Sequence, residues 1–505
     1  MAQEQNTSNN NSEIGFKKNL SLFDATMLVI GSMVGSGIFI VSADMSRILG
    51  SPGWLIVVWS ITALMTIIAA LSYGELASMM PNAGGIYVYL REAYNPMFGF
   101  LYGWTGFLVI QSGTIAAVAM AFAKFSGVLF PSISEQNIWF EIGNLKFNTT
   151  LLVAIFLIVV LSWINSRGVK LGKLIQNLFT NIKFVVLFAF IVVGLFVAGN
   201  ADSLHANLDI MWKAQQITPK GIIPLSGLSL LAAVGTAMVG SLFASDAWYG
   251  VTFTGAEIIN PKRNIPLSLL FGTVLVFVLY ILTNLVYLMT LPLRGDPHAV
   301  TAIGQGIQYA VNDRVATAAI SGLFGENAAI IMAIFIIIST FGCNNGIIMT
   351  SSRVYYAMAN DGLFFESVKK LNKNGVPGRS LLVLCIWSSL LCLSGTYGQL
   401  LDYVVFAVLI FFALTILGIF VLRYKKPNVE RPYKAFGYPV IPAIYILFCI
   451  FLLIDLLVYK PDFTWPGLII VIMGIPIYYI WRIINSKRSG RLPSNDEIKT
   501  EIGKH

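Results

Sequence analysis

Gly31-Ser32-Met33-Val34-Gly35-Ser36-Gly37-Ile38-Phe39-Ile40 lies inside the first long apolar run of the chain. Three glycines and two serines within ten residues weaken a helix that would otherwise cross a bilayer unbroken, so the pattern predicts a break. An unwound turn at membrane depth frees backbone N–H groups that lipid cannot satisfy. It must therefore face protein, a ligand or a water-filled cavity. Gly35, Ser36 and Gly37 would leave amides at the positive end of a half-helix beginning near Ile38, a place suited to a small carboxylate. The same glycines have a plainer reading, since Gly31 and Gly35 spell GxxxG, a pattern for close helix packing.

The rest of the chain supplies the membrane that this reading assumes. Of 505 residues, 56% are hydrophobic and 11% charged, and the mean hydropathy is +0.76, outside the range of soluble domains. A span needs about 20 apolar residues, and about twelve such runs can be drawn. They cover 22–48, 54–79, 97–128, 149–165, 171–199, 228–257, 265–291, 326–358, 380–396, 399–423, 439–459 and 463–483, and are called segments 1 to 12. The fold class is an all-α polytopic membrane protein with one transporter domain over 21–484. A disordered cytoplasmic arm (1–20) precedes it and a cytoplasmic tail (485–505) follows. The net charge of +9 does not point to nucleic acid, because Lys and Arg concentrate in alternate loops. By the positive-inside rule both termini are cytoplasmic. Cys343, Cys385, Cys392 and Cys449 fall inside apolar runs, so neither a disulfide nor a cysteine zinc site is indicated. No metal or other cofactor is called for.

Segment 6 repeats the oddity of segment 1. Phe243-Ala244-Ser245-Asp246-Ala247-Trp248-Tyr249-Gly250 interrupts an apolar run with small and polar residues, one of them ionisable. Corresponding interruptions five segments apart point to an inverted-repeat transporter, with repeats near 21–200 and 228–424 and segments 11 and 12 added. Its binding site would lie where the two breaks meet near the midplane. Two buried charges stand out. Asp246 at membrane depth costs about 2.5–3.5 kcal/mol and should face the cavity or a partner. It either helps with an ammonium or a proton, or caps the second half of the broken helix. Lys183 sits about twelve residues into segment 5, roughly 18 Å along a helix, too deep for easy snorkelling.

Further motifs resemble the amino acid–polyamine–organocation (APC) superfamily: Gly35-Ser36-Gly37-Ile38-Phe39, and Tyr73-Gly74-Glu75-Leu76 through Pro81-Asn82-Ala83-Gly84-Gly85-Ile86-Tyr87-Val88-Tyr89. Glu257-Ile258-Ile259-Asn260-Pro261-Lys262-Arg263-Asn264-Ile265-Pro266 resembles the L-type amino acid transporter branch and its prokaryotic members. So does Ser339-Thr340-Phe341-Gly342-Cys343-Asn344-Asn345-Gly346 running to Ser351-Ser352-Arg353. The resemblance implies a leucine-transporter-like fold and a substrate held at the two breaks. Amides of Ser36 and Gly37 would take the carboxylate, and carbonyls near Met33, Phe243 and Asp246 the ammonium, with Ser245 also among the substrate-binding residues. Phe243 would be the lid. It also implies that Lys183 stands where relatives place a sodium ion, tying carbonyls around Gly31 to the hydroxyl of Ser339.

Gln111, Ser112, Thr114, Asn344 and Asn345 could line a side-chain pocket, with helix–helix hydrogen bonding as the alternative. Glu75 and Arg353 lie near cytoplasmic ends and belong to a gate or to topology. The loop 130–149 lacks the cysteine through which some relatives bind a heavy chain, so no disulfide-linked partner is expected. No HExxH, GxSxG, P-loop or filter repeat supports an enzyme or a channel. The expected function is transport of small to medium neutral L-amino acids across the plasma membrane, by exchange or proton symport. A carrier of cationic amino acids or polyamines is the alternative that Asp246 keeps open.

Overall fold

The structure is a computed structural model that describes residues 16–142, 145–196, 199–218, 221–393 and 397–488. Most of the expected N-terminal arm and C-terminal tail lies outside these residues. Residues 16–20 do not form a free arm. Leu20 is buried and pairs with Ile258 beyond segment 6, and the amides of Asn19 and Leu20 both donate to the carbonyl of Glu257.

Among the described residues ten helices are long and apolar enough to span a membrane, and the pair Leu22–Met33 and Gly37–Leu49, bent by 40°, makes an eleventh if counted as one span. These two halves are segments 1a and 1b. Segment 9 is shorter than the sequence suggests: its helix is Gly378–Leu391, with residues 394–396 outside the described set. Two small antiparallel hairpins in loops, Ile138–Ile142 with Leu145–Asn148 and Gln215–Thr218 with Gly221–Pro224, complete the otherwise helical chain.

Segment 1a begins in a capping box in which the Ser21 hydroxyl accepts from the Asp24 amide and the Asp24 carboxylate from the Ser21 amide. Segment 2 (Pro52–Met79) packs along segment 7 (Pro261–Thr290), segment 1a also lies on segment 7, and segment 1b lies against segment 6a (Gly227–Ala244). Segment 3 (Pro96–Leu129, with one π turn at Gly106–Ile110) and segment 5 (Val169–Phe196) both pack on segment 8 (Glu326–Asn360). Segment 1a is thus enclosed by segments 5, 7 and 8, and segment 6a by segments 1b, 2, 10 and 11. Segments 11 (Val440–Tyr459) and 12 (Pro461–Arg488) are peripheral.

The sequence pattern predicts that segment 6 resumes as a helix to about 257. Instead it continues as 3₁₀ turns, Trp248–Phe253 and Gly255–Glu257. Val251, Thr252, Phe253 and Thr254 crowd a helix at Cβ or through an aromatic ring. The hydroxyls of Thr252 and Thr254 also return to the carbonyls of Tyr249 and Val251 at 2.7 and 2.9 Å, a local bond that competes with the helical ladder.

Candidate functional site

In the first break every carbonyl from Gly31 to Gly35 accepts a side-chain donor. Lys183 Nζ donates to Gly31 O and Val34 O at 2.8 Å each, and to Ser339 O at 3.1 Å. Cys343 Sγ donates to Ser32 O at 3.0 Å, and Tyr280 Oη to Met33 O at 3.0 Å. The Ser339 hydroxyl is shared between Val34 O and Gly35 O at 3.0 and 3.2 Å. Lys183 therefore uses the carbonyl of Ser339 and not its hydroxyl, which sequence reasoning had assigned to it; the hydroxyl reinforces the same turn from the other side.

The electrostatic result follows from counting lone pairs and protons. Carbonyls are taken up by donors, and segment 1b begins at Gly37. The turn Gly35–Ser36–Gly37 thus stands at the positive end of a helix. Glycine is needed here for close approach as well. A Cβ on Gly37 would stand 2.5 Å from Ala244 Cβ, and one on Gly35 2.9 Å from Cys343 Sγ. A Cβ on Gly31 would meet the Gln176 and Thr180 side chains. Packing and unwinding, alternatives in the sequence, are served by the same residues.

The second break is built differently. The Asp246 amide turns back to Phe243 O at 3.1 Å and the Ser245 amide to Ser241 O at 3.1 Å. Ala247 takes a left-handed conformation at φ +66°, a strained choice for a residue with a Cβ. Asp246 is 6% exposed, and its Oδ1 has no hydrogen-bond partner. No α-helix follows it, so the capping role considered from sequence does not occur. Tyr280 Oη also reaches Ala244 O at 2.9 Å, so one hydroxyl of segment 7 touches both breaks.

Between the breaks lies a cavity of about 10 Å³, room for a single water molecule. Met33, Ser36, Gly37, Thr114, Phe243 and Asp246, all expected from the sequence, line it. So do Val118, Cys343 and Ile347, which were not. The structure does not bring five candidates to it. The Ser245 hydroxyl bonds back to Ser241 O and Leu242 O in its own helix. Asn344 donates to Ile115 O, and Asn345 to Gly172 O and Gln176 Oε1 while accepting from Asn165. These amides join segments 3, 4, 5 and 8, and Ser112 is buried away from the cavity. Gln111 is likewise a junction, donating to Tyr249 Oη and accepting from Ser351. Tyr280 escaped sequence reasoning because a lone tyrosine in an apolar run carries no positional signal. Cys343 was read only for disulfide chemistry.

On the face where segment 1a begins, two carboxylates lock the segment ends. Glu257 and Arg353, each 1% exposed, pair at 2.7 Å. Glu75 accepts from Arg423 at 2.9 and 2.6 Å and from the Ala435 amide at 2.7 Å, fixing the loop between segments 10 (Tyr397–Lys425) and 11.

Residues 20–478 match the family described as amino acid permease. Large neutral amino acids transporter small subunit 2 of Mus musculus is 29% identical over 94% of this chain and 83% of its own length. The b(0,+)-type amino acid transporter 1 of Homo sapiens is 27% identical over 92% of this chain and 88% of its own. Asc-type amino acid transporter 1 of Mus musculus is 27% identical over 93% and 82%. With that match running from the first buried residue before segment 1 into segment 12, the chain belongs to the amino acid permease family.

Proposed function

We propose that this protein is a secondary transporter of small to medium neutral L-amino acids, working by alternating access. Transport of amino acids in general follows from the family; the substrate class and mechanism are our reading. The observation that carries it is the lining of one enclosed cavity by two opposite poles. Amides of Ser36 and Gly37 suit the α-carboxylate, and Asp246, whose Oδ1 has no hydrogen-bond partner, suits the α-ammonium. The Met33 carbonyl, which accepts from Tyr280 Oη, keeps a second lone pair for the ammonium. Thr114, Val118, Ile347 and Phe243 supply a mainly apolar surround, which supports a neutral side chain.

A cavity this small closes around nothing larger than a water, so binding requires segments 1, 2, 6 and 7 to move against segments 3, 5 and 8. Lys183 holds segment 1 to segment 8 with a fixed positive charge, which makes a sodium ion unnecessary there. In this reading both termini face the cytoplasm of a cell whose plasma membrane holds the protein. No disulfide-linked heavy chain is needed, because the four cysteines are buried within the bundle. A second reading, transport of cationic amino acids or polyamines, is favoured by Asp246 alone.

The test is uptake of labelled alanine, leucine and arginine into liposomes containing the purified protein, with and without internal amino acids, a pH gradient and sodium. Neutral uptake that needs internal substrate marks an exchanger; uptake into empty vesicles driven by protons marks a symporter. Uptake of arginine alone would replace the first reading with the second.

A further inference from the structure

Away from the central cavity, a cleft of about 710 Å³ opens where segments 2 and 7 meet the loop between segments 10 and 11. Its floor is apolar, formed by Leu71, Leu267 and Leu270, with Phe436 standing 64% exposed along one side. Its rim is cationic, formed by Lys262 and Arg263 at the start of segment 7. The walls are held in place by buried chemistry. Glu75 anchors the loop through Arg423 and the Ala435 amide. Gly74 lets the loop come close, since a Cβ there would meet the Tyr433 ring at 2.9 Å and Pro266 at 3.2 Å.

We propose that this cleft binds an anionic phospholipid, its phosphate at Lys262 and Arg263 and an acyl chain over Leu71, Leu267 and Leu270. The rim stands at the membrane-proximal end of a 30-residue span and the floor runs along that span, so headgroup and chain would each meet matching surface. A soluble anion would use the rim and leave the floor bare, and a neutral lipid would use the floor and leave the cations unpaired. Lys262 pairs with Glu430 at 3.0 Å, but that pair is exposed on both sides (54% and 75%) and easily exchanged. Arg263 has no ion-pair partner among the described residues. Segment 7 also carries Tyr280, which touches both breaks, so an occupant between segment 7 and the anchored loop sits on an element that must move in transport. The binding step does not depend on which substrate is carried.

The experiment uses the full chain in neutral detergent, with retained lipid counted by native mass spectrometry and thermal unfolding followed in parallel. The probes are phosphatidylglycerol, phosphatidylcholine with the same acyl chains, and inorganic phosphate. One phosphatidylglycerol should be retained in preference to phosphatidylcholine and should raise the unfolding temperature, while inorganic phosphate does neither. Lys262→Gln with Arg263→Gln should weaken retention about 30-fold. Lys369→Gln with Lys370→Gln, the same charge change elsewhere, should not. Leu270→Trp, which fills the floor and leaves the charges alone, should also displace the lipid. Equal retention of the two lipids, an equal effect of the Lys369 and Lys370 pair, or full competition by inorganic phosphate would overturn the proposal. Unfolding temperatures in detergent alone separate a misfolded variant from a lost site.

Discussion

The two breaks in the membrane bundle solve one problem in opposite ways. In segment 1 the freed carbonyls are taken by side chains from segments 5, 7 and 8, so the turn is held from outside by four residues: Lys183, Tyr280, Ser339 and Cys343. In segment 6 the freed amides turn back on their own chain, and the cost appears as a left-handed Ala247 and an Asp246 Oδ1 without a hydrogen-bond partner. The first break is a fixed donor surface and the second a locally closed, strained one. Strain of that kind is tolerated where a ligand or a movement relieves it. The comparison assigns rigidity and carboxylate recognition to segment 1, and ammonium recognition and rearrangement to segment 6.

The sharpest way to break this contrast is Lys183→Ala. It strips donors from three buried carbonyls at once. Transport in proteoliposomes should fall about 100-fold, equivalent to roughly 3 kcal/mol, with a lower unfolding temperature; unchanged transport would make the lysine a packing residue. Next is Gly37→Ala, whose new Cβ meets Ala244 at 2.5 Å. An overpacking cost of about 2 kcal/mol predicts roughly 30-fold slower uptake, and Ala244→Gly in the same chain should restore most of it.

Asp246→Asn should raise the KM about tenfold for every amino acid, while stability is kept, because no partner is lost at Oδ1. A defect confined to arginine would move Asp246 to side-chain recognition and favour the cationic reading. Tyr280→Phe removes one hydroxyl from both breaks and should slow uptake about fivefold, near 1 kcal/mol. An unaffected rate would show that the breaks are not coupled through segment 7. The smallest effect is Ala247→Gly, which admits φ +66° without a Cβ. Melting in detergent should report a gain of roughly 0.5–1 kcal/mol, and a loss would mean that the strain is absent.

Much of this was legible in residue order. Twelve apolar runs, two of them interrupted five segments apart, and the glycines of the first break follow from composition and spacing, because a bilayer demands long apolar helices and punishes unsatisfied backbone. Depth along a helix likewise marked Lys183 and Asp246 as buried charges in need of a purpose. Tertiary packing alone decided which polar side chains meet. Asn344, Asn345 and Ser245 share the composition of a binding site, yet they bond to neighbouring helices or to their own. Tyr280 and Cys343, unremarkable in sequence, are aimed at the first break. Packing also turned the end of segment 6 into 3₁₀ turns and folded the loop beyond segment 10 onto Glu75. The reason is geometric. Hydrophobic length and backbone propensity are local properties that a one-dimensional pattern records. The rotation of each helix about its axis, which decides whether a hydroxyl faces a broken turn or a neighbouring helix, is set only when all the helices pack together.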